Sequence, residues 1–202
     1  MKIIFWLSLL ITVLSCVSFT FAEVPSDITT EMVNEYCEGP YVKGATRNWW
    51  RWHHHRRRHR FRAQGPPQTW IDEQIENCKD AATSDEKIQS RIRLFALNGA
   101  LNDLVAKAWD ADRESLTAEF DAVINIFKAY VGSEIATPPA DLSTCRPMDK
   151  EPKNKDSLIK RFLKIAKAVK AGRNTNNFHQ TLGDVLLKLL PHDRTEDCPL
   201  PA

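Results

Sequence analysis

The segment SDEKIQSRIRLFALNGALNDLVAKAW, residues 84–109, is the longest stretch of the chain in which apolar residues recur at helical spacing. These residues lie mostly three or four positions apart, which is typical of a helix with a buried face: Ile88, Ile92, Phe95, Leu97, Leu101, Leu104, Ala108 and Trp109. Ser84 or Asp85 can cap its amino end. Glycine in a helix interior costs about 1 kcal/mol relative to alanine, so the helix is expected to bend or split at Asn98-Gly99.

The same spacing recurs on both sides of this segment. It marks further predicted helices at about 26–38, 69–82, 115–131, 158–171 and 176–190. No run alternates apolar and polar residues for long enough to predict a strand. A chain of this length can bury one core. The sequence therefore predicts an all-α single domain, a small disulfide-stabilised bundle of five or six amphipathic helices.

The amino terminus has the pattern of a cleaved signal peptide. Lys2 precedes an almost uninterrupted apolar run at 3–14, and Thr20 and Ala22 are small residues three and one positions before a predicted cut after Ala22. A single-pass membrane anchor is the competing interpretation, but the run is short for a bilayer span and no second apolar run follows. Residues 1–22 are therefore interpreted as a signal peptide, and the mature chain as secreted and extracellular.

Cysteine usage agrees with export. Removing the signal peptide also removes Cys16 and leaves Cys37, Cys78, Cys145 and Cys198, an even number for an oxidising compartment. Four cysteines allow three pairings, and spacing alone does not choose between them. Cys78 lies on the apolar stripe of its predicted helix, whereas the last two cysteines lie in proline-rich segments. This context favours Cys37–Cys78 and Cys145–Cys198.

Charge is unevenly distributed, although the formal net charge is only +2. Residues 23–42 contain five acidic and no basic residues, and residues 43–62, KGATRNWWRWHHHRRRHRFR, contain eight basic and no acidic residues. The acidic segment can neutralise the basic one until a stronger polyanion competes. The alternative is that both charge blocks only keep solvated faces soluble.

Glycine and proline set the predicted boundaries. Gly39-Pro40 is expected to end a short acidic N-terminal helix within 23–42. Gly65-Pro66-Pro67 is expected to close a basic Trp/Arg/His-rich loop at 43–67, predicted to be irregular. The helical domain is expected to span 68–202, with the 23–42 helix docked on it.

The basic loop carries the main predicted binding site. Arginine guanidinium groups bind phosphate, sulfate and carboxylate through paired hydrogen bonds, and tryptophan rings stack on bases or lie at a lipid headgroup boundary. The alternative is a solvated linker whose tryptophans are incidental. The candidate polyanion-binding residues are Arg47, Trp49, Trp50, Arg51, Trp52, Arg56, Arg57, Arg58, Arg60 and Arg62.

Four histidines lie in the same stretch: His53, His54, His55 and His59. Their protonation below about pH 6 would raise the local positive charge. They are also candidate copper or zinc ligands, although adjacent histidines without a scaffold form a loose ligand set. No cofactor-binding motif occurs elsewhere, so no cofactor is expected.

The sequence contains no His-Glu-x-x-His, Gly-x-Ser-x-Gly or phosphate-binding glycine loop, so a non-enzymatic function is expected. The first hypothesis is a secreted, monomeric interaction protein, such as a host-directed secretory, salivary or venom component, that binds glycosaminoglycan, nucleic acid, bacterial envelope or membrane. The second is a precursor cut near Arg60, whose cationic parts act on membranes as host-defence or toxin peptides. The third is a helical carrier of a small apolar ligand.

Overall fold

The structure, a computed structural model, describes residues 25–56, 65–110, 115–132, 151–172, 185–186 and 188–190. This part of the chain contains no strand and consists of α1 (Thr30–Tyr36), a π-helix (Cys37–Tyr41), α2 (Val42–Arg56), α3 (Gln68–Ser84), α4 (Glu86–Ala108), α5 (Thr117–Val131) and α6 (Lys155–Lys170). The predicted all-α class is confirmed for these residues. None of their helices is both long and apolar enough to cross a bilayer. The predicted signal peptide at 1–22 lies outside them.

Residues 86–108 form one uninterrupted helix, α4. The Asp85 carboxylate caps it by accepting hydrogen bonds from the backbone N–H groups of Lys87, at 2.7 Å, and Ile88, at 3.4 Å. The expected split at Gly99 is wrong. Burial of the flanking Leu97 and Leu101 offsets the cost of one interior glycine, because burying a leucine side chain contributes about 1.5–3 kcal/mol.

The helix α4 contributes to two hydrophobic clusters. In the amino-terminal cluster, Ile88 and Ile92 pack with apolar residues of α1, the π-helix and α3. In the main cluster, its second half packs against α5, α6, Val185, Leu186, Leu189 and Leu190. The rings of Phe127 in α5 and Phe162 in α6 meet there at a centroid distance of 5.8 Å. One helix therefore joins both halves of the core.

The predicted Cys37–Cys78 disulfide is confirmed. It links the start of the π-helix to α3 across a Cα–Cα distance of 5.7 Å, and both cysteines are 0% exposed. The bond closes a loop over a sequence separation of 41 residues. The predicted Cys145–Cys198 pair lies outside the described residues.

The connection between α1 and α2 differs from the expectation. The chain does not leave the helix at Gly39-Pro40, because the π-helix carries Pro40 and continues directly into α2. Proline lacks the N–H group that an α-helix needs and its ring crowds the preceding turn, and here a π-helical turn accommodates Pro40. The irregular loop predicted at 43–67 is therefore wrong for residues 43–56, which are helical.

Polar contacts link α4 to the chain before α1 and to Leu189. The Arg93 guanidinium donates two hydrogen bonds to the Asp27 carboxylate, at 2.5 and 3.0 Å, and so fixes the chain before α1. The Trp109 indole N–H donates to the carbonyl oxygen of Leu189 at 2.9 Å. These contacts join segments that are distant in sequence.

We expect Gly99→Ala to stabilise the protein by about 0.5–1 kcal/mol, because a Cβ at this helical position meets no atom within 4 Å. Gly132→Ala is the matched control. Gly132 ends α5 with a φ of +74°, where alanine is strained, so this change should destabilise the protein by about 1–2 kcal/mol. Urea unfolding followed by circular dichroism at 222 nm measures both. A Gly99→Ala variant less stable than the parent would contradict the continuous helix.

The hydrogen bonds from Arg93 lower the pKa of Asp27 below its usual value. A lowered pKa stabilises the folded state above the unfolded pKa of about 3.9, and this contribution is lost as pH falls through the folded pKa. Asp27→Asn should therefore cost about 1 kcal/mol at pH 7, and the deficit should shrink below about pH 4. Unfolding of parent and variant across pH 2–7 tests this. Asp103→Asn, an exposed change on α4, the helix that carries Arg93, should give no comparable deficit.

Candidate functional site

A groove open to solvent lies between α2 and α3, beside the disulfide. It has a volume of about 570 Å³. Its walls come from every element of the amino-terminal half: Tyr36 of α1, Pro40 and Tyr41 of the π-helix, Gly44, Ala45, Asn48, Trp49 and Trp52 of α2, Trp70 and Gln74 of α3, and Arg91 of α4. We call it the aromatic groove, because five of these residues carry aromatic rings.

The groove face of α2 follows from helical spacing. Residues 41, 44, 45, 48, 49 and 52 recur every three or four positions, which places them along one side of a continuous helix. The small Gly44 and Ala45 leave space in the middle of this face. The larger Tyr41, Trp49 and Trp52 border that space.

Ring contacts hold the walls of the groove together. The Trp49 ring of α2 lies 6.4 Å from the Trp70 ring of α3, measured between centroids. At the other end, the Tyr36 ring lies 6.3 Å from that of Tyr41 and 6.0 Å from that of Phe95 in α4. Tilted aromatic pairs at these distances are favourable beyond their buried area. Packed rings thus connect α2 with α3 at one end of the groove, and α1 with the π-helix and α4 at the other.

Trp52 differs from the other groove tryptophans in its exposure. Its side chain is 64% exposed, whereas Trp49 and Trp70 are partly buried. Large apolar side chains are rarely left so accessible. Trp52 therefore offers a broad ring surface at the mouth of the groove.

A row of cations runs along α2 and approaches the groove at Arg51. Lys43, Arg47 and Arg51 are exposed and lie four residues apart, and none of them forms an ion pair with another described residue. We call them the basic stripe. At 100° per residue the stripe winds around α2: Arg51 lies about 90° from the centre of the groove face, Arg47 about 130° and Lys43 about 170°. An anion at Arg51 would thus lie close to the aromatic rings, whereas Lys43 is on the opposite side of the helix.

The acidic segment before α2 does not neutralise the basic stripe within the described residues. Asp27 pairs with Arg93, and Glu38 lies 3.6 Å from the Lys79 ammonium. Both partners belong to other helices. Within the described residues, no ion pair therefore joins the acidic segment to the basic stripe.

Arg91 brings a further cation to the groove from α4. Its side chain is exposed and lines the groove together with Tyr36. Burial raises the pKa of Tyr36, and the nearby Arg91 guanidinium acts in the opposite direction. Tyr36 is therefore a neutral phenol at physiological pH, and the guanidinium stays at the groove wall.

The structure brings together part of the predicted site. Trp49 and Trp52 line the groove, and Arg47 and Arg51 lie on the neighbouring stripe. Trp50 does not line the groove and instead meets the edge of Trp49 at a centroid distance of 5.6 Å.

The other predicted site residues are not tested by the described side chains. The backbone at 53–56 is helical, but the side chains of His53, His54, His55 and Arg56 lie outside the described part. Arg57, Arg58, His59, Arg60, Arg62 and the predicted cleavage position Ala22 also lie outside it. Within the described residues, no three His, Cys, Asp or Glu side chains form a group that could hold a metal ion.

Sequence reasoning missed the groove residues that come from other elements. Tyr36, Tyr41, Trp70 and Arg91 have no local feature that marks them as part of one site. The pairing of Cys37 with Cys78 was the available signal, because it places the residues around position 37 against the helix that carries Trp70. No protein-family model, curated protein or solved structure matches this chain, so its function is argued from the groove and the stripe.

The exposure of Trp52 predicts an asymmetric response to fluorescence quenching. Iodide should reach Trp52 more easily than Trp70, and the basic stripe should attract it. Trp52→Phe should therefore lower the iodide quenching constant more than Trp70→Phe does. Quenching by caesium, which the stripe repels, should be weaker in the parent protein. Equal loss of iodide quenching in the two variants would contradict the groove geometry.

Proposed function

We propose that this chain is a secreted, non-enzymatic binding protein that attaches to anionic polymers through the basic stripe and the aromatic groove beside it. The observation that carries the proposal is the row of three exposed cations on α2, with no carboxylate partner among the described residues. An anion that binds there does not have to displace an internal partner.

The spacing of the stripe suits a repeating anion. Residues four apart on a helix are about 6 Å apart along its axis, so the stripe offers cations at regular steps over about 12 Å. Arg47 and Arg51 can each form paired hydrogen bonds with a phosphate, sulfate or carboxylate group. Lys43 adds a point charge. Such binding depends steeply on salt, because each neutralised anion releases counterions.

Secretion is part of the proposal and is supported by two features. Residues 1–22 have the pattern of a signal peptide. The disulfide between Cys37 and Cys78 is the kind of bond that persists in oxidising compartments. An extracellular target such as a glycosaminoglycan, released nucleic acid or a bacterial envelope would be accessible there.

The two alternatives receive less support. For the peptide-precursor hypothesis, the apolar face of the cationic helix α6 is buried in the main cluster through Leu158, Ile159 and Phe162. A single cut in the basic segment would also leave both ends attached through Cys37–Cys78.

The carrier hypothesis needs a cavity inside the bundle. The groove instead opens at the surface between α2 and α3, away from the main cluster.

Retention on heparin tests the proposal. The triple variant Lys43→Ser, Arg47→Ser, Arg51→Ser should elute at clearly lower salt than the parent and bind heparin about tenfold more weakly. The slope of log Kd against log salt should fall by about 2, on the scale of counterion release from single-stranded polyanions.

The matched control removes three exposed cations from α6 by Lys160→Ser, Lys164→Ser and Lys167→Ser. It changes the net charge by the same amount and should elute nearly as the parent does. If both triple variants lose the same retention, binding follows net charge alone and the stripe is not the site.

A further inference from the structure

We propose that the aromatic groove is a nucleobase site, and that the anionic polymer preferred by this protein is therefore single-stranded nucleic acid. This inference rests on the proposed function and names its target class. Proteins that bind single strands combine a positively charged track for the phosphates with aromatic rings on which bases stack. Here the basic stripe reaches the groove at Arg51, and Arg91 lines the groove itself, so cations and rings meet at its mouth.

The size and lining of the groove suit a planar ring. A volume of about 570 Å³ lies within the usual range for small-ligand sites. Trp52 stands at the mouth with 64% of its side chain exposed, so a base can cover a large part of its ring. Trp70 supplies a second, partly buried ring from the opposite wall.

Two side-chain amides line the groove and can hydrogen bond to the edge of a nucleobase. Asn48 of α2 and Gln74 of α3 both line it, and neither side chain hydrogen bonds to another described residue. Each amide carries a donor and an acceptor, which is the combination that nucleobase edges also present. A flat apolar ligand would leave these groups without partners.

The surrounding charge selects an anion. Arg51, the last cation of the basic stripe, borders the groove on α2, and Arg91 adds a guanidinium at its wall. A base in the groove would therefore have its phosphates within reach of cations. A duplex keeps its bases stacked and paired, so it cannot insert one without the additional cost of unpairing it.

Other anionic partners use less of this arrangement. A sulfated polysaccharide needs the cations but offers no planar base to Trp52 and Trp70. A phospholipid surface can engage an exposed tryptophan, but Trp70 and Gln74 line a recess on the second wall. Single-stranded nucleic acid is the polymer that uses the rings, the amides and the cations together.

Fluorescence anisotropy with a labelled twelve-nucleotide single strand tests the inference. The comparison strand has the same length and number of phosphates but carries abasic sites throughout. The parent protein should bind the base-bearing strand at least about tenfold more tightly. Trp52→Ala should weaken that binding by about 5- to 150-fold, the usual range for losing one stacked base, and should weaken abasic binding much less.

Conservative variants separate stacking from simple apolar contact. Trp52→Phe keeps an aromatic face and should retain part of the preference for bases. Trp52→Leu keeps apolar volume without a π-face and should behave like Trp52→Ala. The unfolding midpoint and circular dichroism spectrum of each variant are measured alongside, so that a loss of binding is assigned to Trp52 only where the variant is folded under the binding conditions.

The outcomes distinguish this inference from the proposed function. Equal affinity for the two strands, unchanged by Trp52→Ala but weakened in the stripe triple variant, overturns the nucleobase site and leaves polyanion binding intact. If the parent protein binds neither strand nor heparin, the nucleobase site and the proposed polyanion binding are both overturned. Stronger binding to phosphatidylserine vesicles than to either strand, reduced by Trp52→Ala, overturns the nucleobase site in favour of a membrane surface.

Discussion

The burial of α4 in two hydrophobic clusters is the constraint on which the described structure depends. Ile88 and Ile92 on its first half pack in the amino-terminal cluster, and Leu101 and Leu104 on its second half pack in the main cluster. Because one continuous helix carries both sets, neither cluster can shift without moving the other. Arg91 lies on the same helix, so the groove wall is attached to the whole core.

The disulfide holds together the elements that form the groove. Cys37 begins the π-helix and Cys78 lies in α3, so their bond holds the base of α2 against the helix that carries Trp70. The π-helix lets the chain pass Pro40 and enter α2 without a break. A basic segment that resembles a releasable peptide in sequence is thereby held at the bundle surface, with its first part presented as a helix face.

Electrostatics and packing act on different faces of α2. The groove face is held by aromatic contacts such as Trp49 with Trp70, whereas Lys43, Arg47 and Arg51 remain on the solvated side. The acidic residues Asp27 and Glu38 pair with Arg93 and Lys79 instead of the basic stripe. The positive field of α2 is therefore not cancelled by these neighbouring carboxylates, and this makes it suitable for an external anion.

The sequence by itself determined the helical class and the approximate limits of α3 to α6, because helical spacing and cap residues act over a few positions. It favoured the pairing of Cys37 with Cys78 without excluding the others, and the structure confirms that pair. The sequence did not determine that α4 stays whole at Gly99 or that the chain remains helical through Pro40. Those outcomes depend on apolar burial and a π-turn that local propensity does not contain. Only the tertiary structure decided the groove, because Tyr36, Trp52, Trp70 and Arg91 lie on four elements and meet through packing across the disulfide.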